Sequence, residues 1–382
     1  MSTSVSVRPT LLKWARERAL MSPQDLAEKM RVPASKVLEW EETGSLSLPR
    51  LEKLANRTRT PLGYLFLDKP PDDTLPIADF RTLADVDEQK ASPDLLETIH
   101  ICQRRQAWFR EFALFDEEPS LPFVGRWTLA GGHDQLAREM SKTLSWDSQA
   151  RSSLSNWEEA LRELADRIEA LGVLVMRSGI VGSNTRRKLD VEEFRGFALA
   201  DDLAPLVFVN SADARSAQMF TLVHELAHVW LGESGVSDMA VRSTNESERF
   251  CNRVAAEVLV PMREFSEHWQ QTDDTYDEAR RVAKHFRVSA HVILIRALEA
   301  KLVTINQFRV LYKQANEFSR KAKSTGGDFY RTQGARLGRR FTSAVVYSAL
   351  EGRTTYTEAF RLLGVKSSNT FDRLARSVGG IE

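Results

Sequence analysis

Three residues, His224, Glu225 and His228, stand in an otherwise apolar run in the pattern H-E-x-x-H. On an α-helix, residues four positions apart lie on the same face, so both imidazoles can bind one metal ion. Glu225 is turned about 100° around the helix axis, where it can reach a water molecule on that metal without being a ligand. The spacing therefore predicts a metal centre that activates water, with Glu225 as general base. The alternative is a buried helix whose histidines bond to backbone carbonyls.

A third ligand is expected, because catalytic zinc takes three protein ligands and keeps one position open. The helix predicted over residues 246–261 offers four donors, and their spacing does not choose among them: Glu246, Glu248, Cys251 and Glu257. A buried cysteine more commonly serves as a small apolar residue than as a ligand. The later histidines His268, His285 and His291 are candidates for stabilising an oxyanion, with a surface or core role as the alternative.

The residues that precede the H-E-x-x-H run predict the strands that must position this site. Apolar, β-branched runs predict strands near residues 172–176, 194–200 and 206–210, and the last two are joined by a short turn. The H-E-x-x-H helix follows directly, and Gly232 is placed to end it as a C-cap glycine. An extended peptide substrate would pair with the edge strand of this hairpin.

The N-terminal residues 8–67 predict a bundle of short helices, with Ser22 as an N-cap and Pro23 at the first helical position. A helix, a three-residue turn at 31–33 and a second helix form a helix-turn-helix arrangement. Segments 24–30, 37–41 and 51–55 resemble the DNA-binding domain of the Cro/C1-type (xenobiotic-response-element type) repressors.

The resemblance implies DNA contacts from this unit, and the candidates are Gln24, Ser35 and Lys36. The second helix offers few side chains that read base edges well, and the acidic Glu41 and Glu42 that follow would repel phosphates. The alternative is a retained fold that docks a protein partner.

The second motif carries a further resemblance. Residues 248–256 follow the pattern E-x-x-(A/C)-N-x-x-A-A, and an apolar pair precedes Pro261. Together with the H-E-x-x-H run, this resembles the ImmA/IrrE family of metallo-endopeptidases, thermolysin-like gluzincins often fused to an N-terminal helix-turn-helix. The leading glutamate of that motif is the metal ligand in the family, which implies this role for Glu248. The resemblance also implies one Zn²⁺ per chain and a protein substrate, often a helix-turn-helix repressor encoded nearby.

Three further segments support less specific predictions. Residues 93–115 predict one long helix, with Arg104, Arg105 and Arg110 on a solvated face and Cys102 as core filler. Residues 320–340 are basic, which predicts either a solvated face or a surface that contacts a nucleic acid or an acidic partner. Residues 356–366 resemble a second helix-turn-helix, with Gly364 at its turn, for which helical packing, homodimerisation and DNA reading are the alternatives.

Composition limits the classes of function. The chain has 53 Lys plus Arg and 53 Asp plus Glu, so its net charge does not predict a polyanion binder. Two cysteines form no disulfide framework, and no apolar run approaches the length of a membrane span, so we expect a cytoplasmic protein with no membrane partner.

The predicted fold class is α+β, mainly α. Four regions are expected: a helix-turn-helix domain at 1–69, a helical linker at 70–150, a zinc metallopeptidase domain with a small sheet at 151–300, and a basic helical region at 301–382. The predicted function is a zinc endopeptidase and transcriptional regulator that cleaves a protein partner in a stress, phage or mobile-element response. The competing function is an antitoxin that binds a nuclease toxin encoded by a neighbouring gene and represses its own operon at operator DNA.

Overall fold

The computed structural model describes residues 4–71, 74–81, 91–237, 245–321 and 336–379. The α-helices, in chain order, are α1 (Pro9–Arg18), α2 (Pro23–Met30), α3 (Ala34–Thr43), α4 (Leu48–Thr58), α5 (Pro93–Phe115), α6 (His133–Thr143), α7 (Ser148–Ser152), α8 (Trp157–Ala170), α9 (Arg215–Leu231), α10 (Glu246–Leu259), α11 (Met262–His268), α12 (Thr275–Phe286), α13 (Ala290–Glu299), α14 (Ile305–Lys321), α15 (Arg339–Leu350), α16 (Tyr356–Leu363) and α17 (Ser368–Ser377). The strands are β1 (Ser4–Ser6), β2 (Ser45–Ser47), β3 (Ala78–Asp79), β4 (Leu174–Ser178), β5 (Gly196–Leu199), β6 (Leu206–Asn210) and β7 (Gly235–Ser237).

The chain divides into two compact units. The N-terminal unit comprises residues 1–76 and 83–100, and the second unit comprises residues 77–82 and 101–382. The second unit therefore includes a short piece of chain that lies, in sequence, inside the first. The predicted boundaries at 69, 150 and 300 stay predictions.

The N-terminal unit contains α1 to α4 and a two-stranded antiparallel sheet of β1 and β2. Ser22 caps α2 through a reciprocal capping box with Asp25, and Pro23 opens the helix, as the sequence predicts. Helices α2 and α3 are joined by three residues. Glu41 differs from expectation: Arg16 donates to both of its carboxylate oxygens, at 2.6 and 3.0 Å, and both side chains are largely buried. Its charge therefore ties α3 to α1 rather than facing solvent.

The second unit is built on a five-stranded mixed sheet in the order β3-β7-β5-β6-β4. Strands β5 and β6 pair antiparallel, which confirms the predicted hairpin, and β4 pairs parallel with β6. Both strands of the hairpin are buried throughout, which explains their nearly continuous apolar sequence. Strands β3 and β7 extend the sheet beyond the hairpin and are absent from the sequence prediction, because each has only two or three residues.

The long helix α5 has the bounds that the sequence predicts. Arg104 is exposed and Arg110 is partly exposed, in keeping with the predicted solvated face, whereas Arg105 corrects that expectation. Arg105 is buried and donates to the carbonyl of Leu362 at 3.0 Å, so it fixes α16 against α5. Arg110 binds the carboxylates of Asp201 and Asp202 in the turn between β5 and β6. Cys102 is fully buried, and burial raises the pKa of its thiol to about 12, in keeping with the predicted core role.

The C-terminal helices α16 and α17 are separated by a turn in which Gly364 adopts φ of 65°, and Ser367 caps α17. Most of the basic segment 320–340 lies outside the described residues. Among the described residues, no helix combines the length and apolar character that crossing a bilayer requires. The predicted α+β, mainly helical fold class is confirmed.

Candidate metal centre

Helix α9 carries the H-E-x-x-H residues at the centre of the second unit. The helix is apolar nearly all round because it packs on β5, β6, α8 and α10, and its residues 218–230 are all buried. It ends at Gly232, whose φ of 72° is the left-handed conformation that glycine adopts most readily. His224, Glu225 and His228 each have zero exposed surface. The site is therefore inside the unit and not on an open surface.

Helix α10 supplies the third polar group. Asn245 caps this helix by accepting from the backbone N–H groups of Ser247 and Glu248, which orders its first turn. Glu248 lies in that turn and is fully buried against α9. The structure thus brings together His224, His228 and Glu248, residues separated by up to 24 positions, in one buried cluster.

The distances within this cluster match a metal shell. Nε2 of His228 lies 3.1 Å from Nε2 of His224 and 3.0 Å from Oε1 of Glu248, and Nε2 of His224 lies 3.4 Å from Oε2 of Glu248. Zinc–ligand bonds of about 2.0–2.2 Å in tetrahedral geometry imply ligand–ligand separations of roughly 3.3 Å. Two neutral imidazoles and a carboxylate are also a donor set that zinc prefers. The three residues therefore fit a single zinc ion.

Glu225 lies beside this cluster as an unengaged carboxylate. Neither of its oxygens has a hydrogen-bond partner of normal geometry among the described residues. Burial raises the pKa of Glu225 well above its ordinary value, an effect that the neighbouring His228 opposes. A Cβ atom at Gly196 would lie 2.7 Å from Oε1 of Glu225, so the glycine at the start of β5 leaves room for the carboxylate. Such a group is suited to accept a proton inside the site.

The other candidate ligands lie elsewhere. Glu257 is ion-paired with Arg296 and accepts from the backbone N–H of Met262, and Glu246 is exposed at the start of α10. Cys251 is buried close to His228, and burial raises the pKa of its thiol, which disfavours the thiolate that a metal ligand needs.

The later histidines are engaged with each other and with neighbouring aromatic residues. His268 stacks on His285 with ring centroids 3.9 Å apart, and His291 contacts Tyr312. These contacts give the three histidines packing partners outside the triad, and nothing in the geometry assigns them the oxyanion role.

Glu233 is a site residue that the sequence reasoning missed. Its Oε2 lies 3.1 Å from Nδ1 of His228, and its Oε1 accepts from the hydroxyl of Ser247 at 2.9 Å. A carboxylate on the far nitrogen fixes the tautomer of a metal-binding histidine so that Nε2 faces the ion. Its position one residue after the C-cap glycine, where the chain turns back over the last helical turn, was the available signal.

We expect Glu233→Ala to weaken zinc affinity by about 10- to 100-fold, because His228 loses the group that orients its ring. Competition with a chromogenic zinc chelator measures this change. Glu246→Ala is the matched control, since it removes an exposed carboxylate from the same region and should leave the affinity unchanged. Equal affinities for wild type and Glu233→Ala would remove Glu233 from the site.

Comparison with known families supports this assignment over part of the chain. Residues 168–298 match a peptidase family model described as the IrrE N-terminal-like domain, and residues 337–377 match a domain of unknown function (DUF8813). A search of curated proteins finds no match. The first match contains the complete His-His-Glu triad, so this stretch is a metallopeptidase domain of the IrrE-like type. Neither matched stretch includes residues 1–69, and the resemblance of that region to Cro/C1-type repressors stays a prediction.

The candidate DNA contacts all lie at the surface of the N-terminal unit. Gln24 and Ser35 are exposed, and Lys36 is partly exposed. Nζ of Lys36 donates to both oxygens of Glu39 on the same helix, at 2.6 and 2.8 Å. The one cation among the three is therefore paired with a carboxylate.

Proposed function

We propose that this protein is a zinc-dependent endopeptidase that cleaves a protein partner. The proposal rests on one observation above all: the buried triad of His224, His228 and Glu248 stands beside the unengaged carboxylate of Glu225. Three ligands and an adjacent base are the minimum set for hydrolysis assisted by zinc.

Each residue has a distinct role in the proposed reaction. A zinc ion bound there would lower the pKa of a coordinated water and polarise the peptide carbonyl. Glu225 accepts the proton from the attacking water and delivers it to the leaving amine. Glu233 holds His228 in the tautomer that binds through Nε2.

The proposed substrate is a protein encoded by a neighbouring gene, such as a helix-turn-helix repressor. Cleavage would then relieve repression in a stress, phage or mobile-element response. The competing proposal is that the chain neutralises a toxin by binding alone. The triad supports metal binding in either case, whereas Glu225 supports turnover, since a buried carboxylate beside the ligands with no hydrogen bond of normal geometry is placed to accept a proton.

Incubation of the zinc-loaded chain with the purified neighbouring gene product tests the proposal. We expect mass spectrometry to find two fragments of that product, formed by one cut, and no fragments when Glu225→Gln replaces wild type. If the neighbour is toxic, is neutralised equally by both forms and is never cut, the chain acts as an antitoxin and the endopeptidase proposal is wrong for that partner.

We further propose that the N-terminal unit docks a protein partner rather than reading an operator. The observation that favours docking is the pairing of Lys36 with Glu39, which leaves the one cation among the candidate DNA contacts already bound by a carboxylate. Gel-shift assays of the full chain on its own promoter at low salt test this proposal. A specific shift that weakens steeply with salt, and that Lys36→Ala and Gln24→Ala reduce, would establish DNA reading instead.

A further inference from the structure

The edge of the sheet beside the triad is already occupied by the chain itself. Gly196, at the start of β5, is the sheet residue that faces Glu225. An extended peptide added to the edge of β5 would therefore pass next to the metal ligands. Strand β7 takes that edge, pairing antiparallel with Gly196 opposite Ser237 and Ala198 opposite Gly235.

Strand β7 also contacts the triad directly. Ser237 is fully buried, and its hydroxyl donates to Oε1 of Glu248 at 3.0 Å. Its backbone carbonyl accepts from the N–H of Arg195 at 3.1 Å. Ser237 therefore lies where the residue of a bound peptide nearest the metal would lie. A substrate cannot pair with β5 until this strand moves away.

Residues 77–81 pack against β7 on the side away from β5. Strand β3 pairs parallel with β7, and the backbone N–H of Phe80 donates to the carbonyl of Val236 at 3.0 Å. The ring of Phe80 stacks on the imidazole of His228, with centroids 5.2 Å apart and ring planes 15° apart. It reaches His228 across Gly235, where a Cβ atom would lie only 2.1 Å from the Phe80 ring.

A buried arginine holds the end of this segment. Arg81 binds Asp79 through its backbone N–H, its Nε and its Nη2, at 2.6 to 3.1 Å, and its Nη1 lies 3.6 Å from Oε1 of Glu193. The side chain of Arg81 is only 3% exposed. The bonds to Asp79 order the segment itself, and the ion pair with Glu193, which is shielded from solvent, connects the segment to the chain before β5.

We propose that β7 and residues 77–81 form a lid that occupies the substrate-binding edge of β5 and keeps the metal centre latent. The closed lid accounts for the complete burial of His224, Glu225, His228 and Glu248, which no protein substrate could reach. Opening exposes the edge of β5 and the face of His228 to an extended segment of the partner. Residues 77–82 continue at both ends into the N-terminal unit, so the lid is covalently connected to that unit on both sides. This inference rests on the proposed function, which identifies the molecule that enters the opened site as a protein substrate.

Two variants loosen the lid without altering a residue of the triad or the base. Phe80→Ala removes the ring that covers His228 and retains the backbone pairing. Gly235→Ala places a methyl group of β7 where the Phe80 ring lies, so it forces residues 77–81 away from β7 and loosens the lid at the contact between its two parts. Phe115→Ala is the matched control, because it removes an aromatic ring that is 72% exposed.

Two measurements report on the lid without any need for turnover. The first is the rate at which a chelator extracts zinc from the loaded protein. The second is backbone hydrogen exchange at β5 and β7 in the metal-free protein. We expect both lid variants to raise the extraction rate and the exchange rate by about tenfold or more, the change that corresponds to losing an aromatic stack and its packing. The control should match wild type.

The outcomes separate the lid from the peptidase activity. Faster extraction and exchange with faster peptide hydrolysis supports both proposals. Faster extraction and exchange with no hydrolysis by any form supports the lid and contradicts the endopeptidase. Wild-type extraction and exchange rates in both folded variants, as judged by circular dichroism, overturn the lid whatever the hydrolysis assay gives.

Discussion

Replacing Glu225 with glutamine is expected to lower kcat for peptide hydrolysis by between about 100-fold and 10,000-fold, the range that a general base contributes. The amide keeps the size of the carboxylate and cannot accept the proton of the attacking water. Since Glu225 is not one of the three clustered ligand atoms, zinc content should remain at about one equivalent. KM should change little, because the interaction is made in the transition state. Steady-state assays with a cleavable peptide measure kcat and KM, and elemental analysis of the same samples measures the zinc content.

The stability of the Glu225→Gln variant provides its internal control. Burial without a hydrogen-bond partner makes the charged carboxylate costly, so a neutral amide should not lower the free energy of unfolding. If activity is lost while zinc content and melting temperature stay normal, the loss is caused by the missing proton acceptor. Activity within about threefold of wild type would show that another group takes the proton.

The double change His224→Ala and His228→Ala is expected to remove about one equivalent of zinc per chain, because a single remaining carboxylate does not hold the ion. Zinc should also cease to raise the melting temperature. Binding to the folded state alone stabilises wild type by about 4 kcal/mol when free zinc is 1,000 times its Kd, and the double variant loses this term. Elemental analysis and thermal unfolding with and without added zinc measure the two effects.

Variants of the three glutamates on α10 test which of them is the third metal ligand. Glu248→Ala should weaken zinc binding strongly, whereas Glu246→Ala should have no effect, because Glu246 is exposed and Glu248 is buried against both histidines. Glu257→Gln should retain zinc as well, since that carboxylate is held by Arg296. Unchanged zinc content in Glu248→Ala would move the third ligand to another residue.

The sequence by itself determined the parts of the site that depend on local geometry. Helical spacing places His224 and His228 on one face, and Gly232 ends the helix, because both follow from backbone geometry over a few residues. The hairpin of β5 and β6 was predictable from its short, β-branched apolar runs. Helix α5 was predictable because its apolar residues recur at the helical period over many turns. The choice of Glu248 needed a resemblance to a family, because spacing left four donors open.

Only the tertiary structure decided which distant residues surround the triad. The sequence predicted a solvated Arg105 and a Glu41 that repels phosphates, but each of these charged residues is bound by a partner on another helix. Glu233 contacts His228 at Nδ1, from the turn after α9, and Phe80 stacks on the face of the same ring, from a segment almost 150 positions earlier. Strands of two or three residues carry too little pattern to predict, and their pairing is fixed by contacts distant in sequence. The spacing of the two histidines and the base therefore follows from local sequence, whereas the residues that surround them are set by the tertiary fold.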